Sequence, residues 1–267
     1  MTAAIRNIIA VASGKGGVGK TTVAVNLAVA LAREGAKVGL MDADITGPNV
    51  PIMIGARTLP PLSEGRLVPA EAFGVKVISM AFLVKEGDAV IWRGPMLHHA
   101  INKFLKEVEW GELDYLIVDL PPGTSDAQIS LSQAVALTGA LVVTTPQEVS
   151  LLDVRKAIAM FEKVKVPILG IVENMAAFVC PHCGKETEIF SRGGGARAAS
   201  ELKIPFLGEI PLLPEVRAGS DSGKPIVISH PESPAARALS EIARKLTAEI
   251  QTRAAQAPAQ GKSAWSV

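Results

Sequence analysis

The sequence predicts an α/β fold, a mostly parallel central sheet with helices on both faces. Three observations predict it. Short β-branched runs alternate with longer stretches of helical period, the pattern of strand–helix–strand crossover units. A glycine-rich turn sits directly between the first apolar run and the first helical stretch. With 48% hydrophobic residues, a chain of 267 can bury one large core.

The elements follow in order. Residues 8–12 are the first expected strand, and residues 20–34 the first helix, with Val23, Leu27, Ala30 and Leu31 as its apolar stripe and Gly35 as its stop. Further strands are expected at 38–42, 75–80, 115–119, 140–145, 168–173 and 206–210. Further helices are expected at 96–108, 150–164 and 234–253. Two stretches break the rhythm: 45–74, rich in Pro and Gly, and 176–195, which holds both cysteines and the run Gly193-Gly194-Gly195. They read as loops, where function often sits. Residues 1–253 therefore read as one domain with an insertion near 176–195, and 254–267 as a flexible tail of Ala, Gln, Gly and Ser.

Charge and cysteine content narrow the function. Lys and Arg number 27 against 26 Asp and Glu, so no global basic excess favours nucleic acid or an anionic membrane. Cys180 and Cys183 are too few and too close for the disulfide framework of a secreted fold. The apolar run before Gly14 is too short for a signal peptide, and none reaches the roughly 18 residues that span a bilayer. A cytoplasmic protein is expected.

Gly14-Lys15-Gly16-Gly17-Val18-Gly19-Lys20-Thr21 fits the P-loop pattern G-x-x-x-x-G-K-[ST] in its required setting between strand and helix. Such glycines let successive amide N–H groups converge on phosphate, aided by the positive helix N-terminus. Lys20 is expected at the β- and γ-phosphates of ATP, and the Thr21 hydroxyl on Mg²⁺. Asp119 ends the strand at 115–119, where a carboxylate can hold Mg²⁺ or its water shell.

A second lysine, Lys15, stands inside the loop. From Lys15 through Lys20, Thr21 and Thr22 the sequence resembles the deviant Walker A ATPases, the family of MinD, ParA and the nitrogenase iron protein. The resemblance implies a dimer in which Lys15 reaches the partner's nucleotide, and Asp44 orienting the attacking water. It also implies Asp42 supporting the Mg²⁺ region, although a carboxylate capping a strand-end turn fits Asp42 nearly as well. Asp119-Leu120-Pro121-Pro122-Gly123-Thr124 looks like the family's second switch loop, and Asn174 like its adenine contact.

The pair Cys180-Pro181-His182-Cys183 can place two sulfurs on one metal centre, whereas zinc or a four-iron cluster usually takes four thiolates. No third cysteine exists, so two chains would have to share the site. A thioredoxin-like redox pair fits the glycine-rich setting poorly. Together with Trp92-Arg93-Gly94-Pro95-Met96 and Glu173-Asn174-Met175, the motifs resemble the Mrp/ApbC family of iron–sulfur cluster carriers over nearly the whole chain. The resemblance implies an ATP-hydrolysing homodimer that holds a labile [4Fe–4S] cluster and passes it to apo-proteins. Many bacterial members carry a small domain ahead of the P-loop, which this sequence is expected to lack, as its loop starts at Gly14. Spacing alone does not separate the cluster from a bridging zinc. A MinD- or ParA-like positioning ATPase with such a zinc is the alternative, but residues 251–258 offer neither the basic nor the apolar face that membrane binding needs.

Overall fold

The computed structural model describes residues 5–45, 47–63, 65–83, 94–123 and 126–256. From the N-terminus the elements are β1 (Ile5–Ser13), α1 (Lys20–Arg33), β2 (Val38–Asp42), α2 (Val50–Ile54), β3 (Ala70–Ala72) and β4 (Val75–Ser79). Next come α3 (Gly94–Glu107), β5 (Leu113–Asp119), α4 (Asp126–Ala134), β6 (Gly139–Thr144), α5 (Glu148–Lys163) and β7 (Ile168–Val179). The chain continues through β8 (Glu186–Thr187), α6 (Gly194–Leu202), β9 (Phe206–Leu212), α7 (Pro214–Asp221), α8 (Ile226–Ser229) and α9 (Pro234–Gln256).

Ile8-Ile9-Ala10-Val11-Ala12 is buried on both sides, which forces β1 into the middle of a layered sheet. The strand order is β3-β4-β2-β5-β1-β6-β7-β8, with β9 also on β7. Every pairing is parallel except β3 with β4 and β8 with β7. On one face Ile9 and Val11 pack with Leu27 and Leu31 of α1 and Leu239, Ile242 and Leu246 of α9. On the other, Ile8 and Ala10 pack with Phe104 of α3 and Ile158 and Phe161 of α5. Parallel strands end at one edge, so Ser13, Asp42, Asp119, Thr144 and Glu173 are brought to the same side, where open α/β sheets carry their ligands.

All seven expected strands are present, and β2 has the expected bounds. The expectation of a loop from residue 176 is corrected, because β7 runs on to Val179. Past Glu173 it outruns β6, and its last residues pair instead with β8, Phe178 with Thr187 and Val179 with Glu186. The short antiparallel β8 satisfies that extension, and its two exposed polar residues, Glu186 and Thr187, do not read as a strand. Likewise Gly193-Gly194-Gly195 opens helix α6. Helix α9 continues to Gln256, three residues past the expected end. Residues 257–267 and Trp92-Arg93 lie outside the described residues.

Phe161 is fully buried between α5 and the sheet. Its truncation to Ala is expected to cost about 3–5 kcal/mol in urea unfolding. A loss below about 1 kcal/mol would show that this face of the core closes over the gap.

Candidate functional site

The loop after β1 takes its shape from its glycines. Gly17 and Gly19 both stand at φ 81°, in the left-handed region that side chains avoid. Gly14 is needed for space, since a Cβ there would lie 2.3 Å from the backbone carbon of Asp153 in α5. The loop borders an open cleft of about 330 Å³, which Lys15, Gly17, Lys20, Thr21, Asp44 and Pro122 help to line.

Beneath the cleft one carboxylate organises two of the expected phosphate and Mg²⁺ ligands. Lys20 Nζ lies 2.7 Å from Asp119 Oδ1, and Thr21 Oγ1 donates to Asp119 Oδ2 at 2.7 Å. Asp44 Oδ2 stands 3.4 Å from the same ammonium. Burial raises the Asp119 carboxyl above the ordinary carboxylate range, and the Lys20 ammonium and Thr21 hydroxyl oppose that rise. Thr21 and Asp119 together present hard oxygen donors of the kind Mg²⁺ takes.

Asp42 has a different occupation. It is fully buried, its Oδ2 accepts from Ser79 Oγ at 2.8 Å and Val50 N at 3.2 Å, and its Oδ1 accepts from Asp44 N at 3.1 Å. It ties β2 to β4 and to the start of α2. The turn-capping reading describes these bonds, and Asp42 also stands within electrostatic reach of Asp119 and Lys20. Burial, with the Asp119 charge beside it, pushes Asp42 up to about 8 against the pull of Ser79, Asp44 N–H and Lys20.

The loop after β5 is held in a defined position. Gly123 N donates to Ser13 O at 2.9 Å, and Gly123 stands at φ 82°. Gln128 on α4, fully buried, donates through Nε2 to the Gly123 and Pro121 carbonyls. Sequence reasoning missed Gln128, since its partners depend on where α4 returns. Thr124 lies outside the described residues. The half-buried Lys15 makes no side-chain hydrogen bond or ion pair among the described residues, though its carbonyl accepts from Ser13 Oγ at 2.9 Å.

Asn174 lies against the P-loop, its Nδ2 donating to Val18 O at 2.8 Å. A Cβ on Gly19 would come within 2.2 Å of that nitrogen, so the loop glycine and the asparagine are fitted to each other. That bond uses one of the two amide N–H donors and leaves Oδ1 without a bond to Val18. Past the end of β7, Cys180 N donates to Lys185 O at 3.0 Å and Gly184 N to Cys180 O at 2.9 Å, closing a turn that presents both thiols, Cys183 exposed. The amide N–H groups of His182 and Cys183, with the Cys183 thiol, hold the Cys180 thiol below the usual thiol range. Among the described residues no group of three or more His, Cys, Asp and Glu could hold a metal ion, so two sulfurs are what this turn offers. No described helix is long and apolar enough to cross a membrane.

Comparison with known proteins gives a consistent picture. The sequence profile of the family described as ParA, NUBPL iron-transfer P-loop NTPase, matches residues 4–247. A protein of Deinococcus radiodurans named iron-sulfur cluster carrier protein is 54% identical over 251 residues, 93% of this chain and 71% of that protein. Among solved structures, the nucleotide-binding protein of Archaeoglobus fulgidus, in complex with ADP and with Co found by PIXE, superposes with a TM-score of 0.73 at 44% identity, covering 82% of this chain and 87% of its own. The cell division ATPase MinD of Pyrococcus furiosus superposes with a TM-score of 0.69 at 27% identity, covering 91% and 98%. The fold is that of the P-loop NTPases.

The proton on Asp42 has a measurable consequence. Its folded value of about 8 lies above the roughly 3.9 of an unfolded Asp, so the folded chain binds the extra proton between the two. Its contribution to stability is complete below the unfolded value and is lost as pH rises through the folded one. Urea unfolding between pH 5 and 9 is expected to show a declining component that Asp42→Asn removes. An identical slope in the variant would place the titration elsewhere.

Proposed function

This chain belongs to the NUBPL iron-transfer P-loop NTPase family, and we propose on that premise that it is an ATP-hydrolysing carrier which holds a [4Fe–4S] cluster between two copies of itself and delivers it to apo-proteins. The observation that carries this reading is the coexistence of a complete phosphate site with a turn that offers two thiols and no further ligand. A four-iron cluster takes four thiolates, so Cys180 and Cys183 from each of two chains complete the set. The lowered Cys180 favours the thiolate, the form that binds iron. The cluster is cargo, and the cytoplasm is where such clients would be met.

The nucleotide half works by position and charge. Lys20, held 2.7 Å from Asp119, turns to the β- and γ-phosphates of ATP. Thr21 and Asp119 would hold Mg²⁺, which when bound neutralises phosphate charge. The glycines from Gly14 to Gly19, with Val18, Thr21 and Thr22, wrap the phosphates by backbone N–H groups. Asp44 orients the attacking water, and Lys15 of one copy stabilises charge at the other copy's nucleotide. Asn174 meets the adenine edge through its side-chain amide. The chemistry is positioning and charge stabilisation rather than covalent catalysis, so turnover is slow and set by how the two copies come together.

Two results are expected. Cys180→Ala or Cys183→Ala abolishes the visible absorbance of the cluster after anaerobic reconstitution with iron and sulfide and leaves ATP affinity unchanged. Full cluster content in either variant, or tight zinc without iron uptake in the wild type, contradicts the carrier reading. Lys15→Ala retains nucleotide binding and loses hydrolysis by on the order of 10²–10³, whereas Lys20→Ala weakens ATP binding itself, as isothermal titration would show. Normal turnover by Lys15→Ala removes its role across the dimer.

A further inference from the structure

Glu173 is fully buried, and no cation neutralises it among the described residues; its charge is met by backbone amides. Oε1 accepts from Gly193 N at 2.9 Å and Oε2 from Gly195 N at 2.5 Å. These are the first amides of α6, whose own N-cap, Gly193, offers no side chain. A carboxylate from another element therefore does the work that a local Ser or Asp usually does, aided by the positive end of the helix. The approach is close, since a Cβ on Gly195 would lie 3.0 Å from Glu173 Cβ.

What lies on either side gives this cap a direction. The next residue, Asn174, donates to the P-loop carbonyl of Val18. The one after, Met175, stands at φ 59°, and the register with β9 slips between Asn174 and Phe178, so the strand bends where it leaves the nucleotide site. On the other side Arg192, which immediately precedes Gly193, donates to Glu186 Oε2 and Glu209 Oε1, each at 2.9 Å. Glu186 pairs with Val179, and its neighbour Lys185 accepts from Cys180 N. Hydrogen bonds joined by single steps along the chain thus run from the P-loop backbone to the cysteine turn, through the carboxylates of Glu173 and Glu186.

We infer that Glu173 is the positioning residue by which nucleotide in the P-loop sets the geometry of the cysteine turn. When phosphate reorganises the loop around Val18, Asn174 follows the carbonyl, Glu173 carries the start of α6 with it, and Arg192 moves the second leg of the hairpin. The purpose of this linkage rests on the carrier reading, but the linkage itself is read without iron.

The test measures the rate at which iodoacetamide alkylates Cys180 in the full chain, reduced and iron-free, with and without Mg²⁺ and a non-hydrolysable ATP analogue. In the wild type the analogue is expected to change the rate by about fivefold or more. Glu173→Gln keeps the side-chain volume but turns an N–H group toward Gly193 or Gly195. It is expected to bind the analogue with unchanged affinity and to lose the rate change. Arg192→Gln, whose side chain is 40% exposed and lies outside the core, is expected to do the same, which keeps the test decisive if Glu173→Gln fails to fold. A rate change retained in a folded variant, or absent from the wild type, overturns the inference. Failure to bind a cluster would instead strike the carrier reading and leave this result standing.

Discussion

The buried contact between Lys20 and Asp119 is the constraint on which the site depends. It joins the first turn of α1 to the last residue of β5, two residues 99 positions apart in sequence, and it can exist only because parallel strands end at a common edge. One ammonium there faces Asp119 at 2.7 Å and Asp44 at 3.4 Å, with Asp42 close behind. Buried carboxylates in excess of cations must take up protons or find positive charge. Asp42 takes the first course, pushed up to about 8. Asp119 is the carboxylate left to meet a cation, and the Thr21 hydroxyl beside it is the second oxygen such an ion would need. The same geometry that holds the lysine underlies the proposed nucleotide chemistry, in which phosphate would take the ammonium and a divalent ion the carboxylate.

Much of this was legible in the sequence because it is local or periodic. The strands show as β-branched runs, and the P-loop as a spacing of Gly, Lys and Thr between a strand and a helix, so Lys20, Thr21 and Asp119 could be named before their contacts were known. What the sequence hid depends on distant partners. Asp42 and Asp44 are two residues apart and chemically identical, and only the arrival of Ser79 and Val50 shows that Asp42 ties β2 to β4 and α2. Gln128 carried no signal in the sequence, because only the fold of α4 places its amide on the Gly123 carbonyl. The triple glycine from Gly193 read as a loop because the carboxylate that caps α6 sits at position 173. Asn174 was expected at the base, and its bond to the Val18 carbonyl, which fixes it against the P-loop, could not be read from the sequence.

The cysteine turn raises the question that the family places at the centre. A strand that outruns its neighbour, closed by two residues of β8, holds Cys180 and the exposed Cys183 clear of the sheet edge. Such a placement suits thiols that must meet a second chain, and two thiols with no further ligand among the described residues leave a shared centre as the chemically complete arrangement.

Native mass spectrometry of the anaerobically reconstituted protein tests that arrangement most directly. The account predicts that iron and sulfide appear only on a species of two chains, with about four irons and four sulfides per pair. A single chain carrying an intact cluster, or a pair that holds one tightly bound zinc, would contradict it.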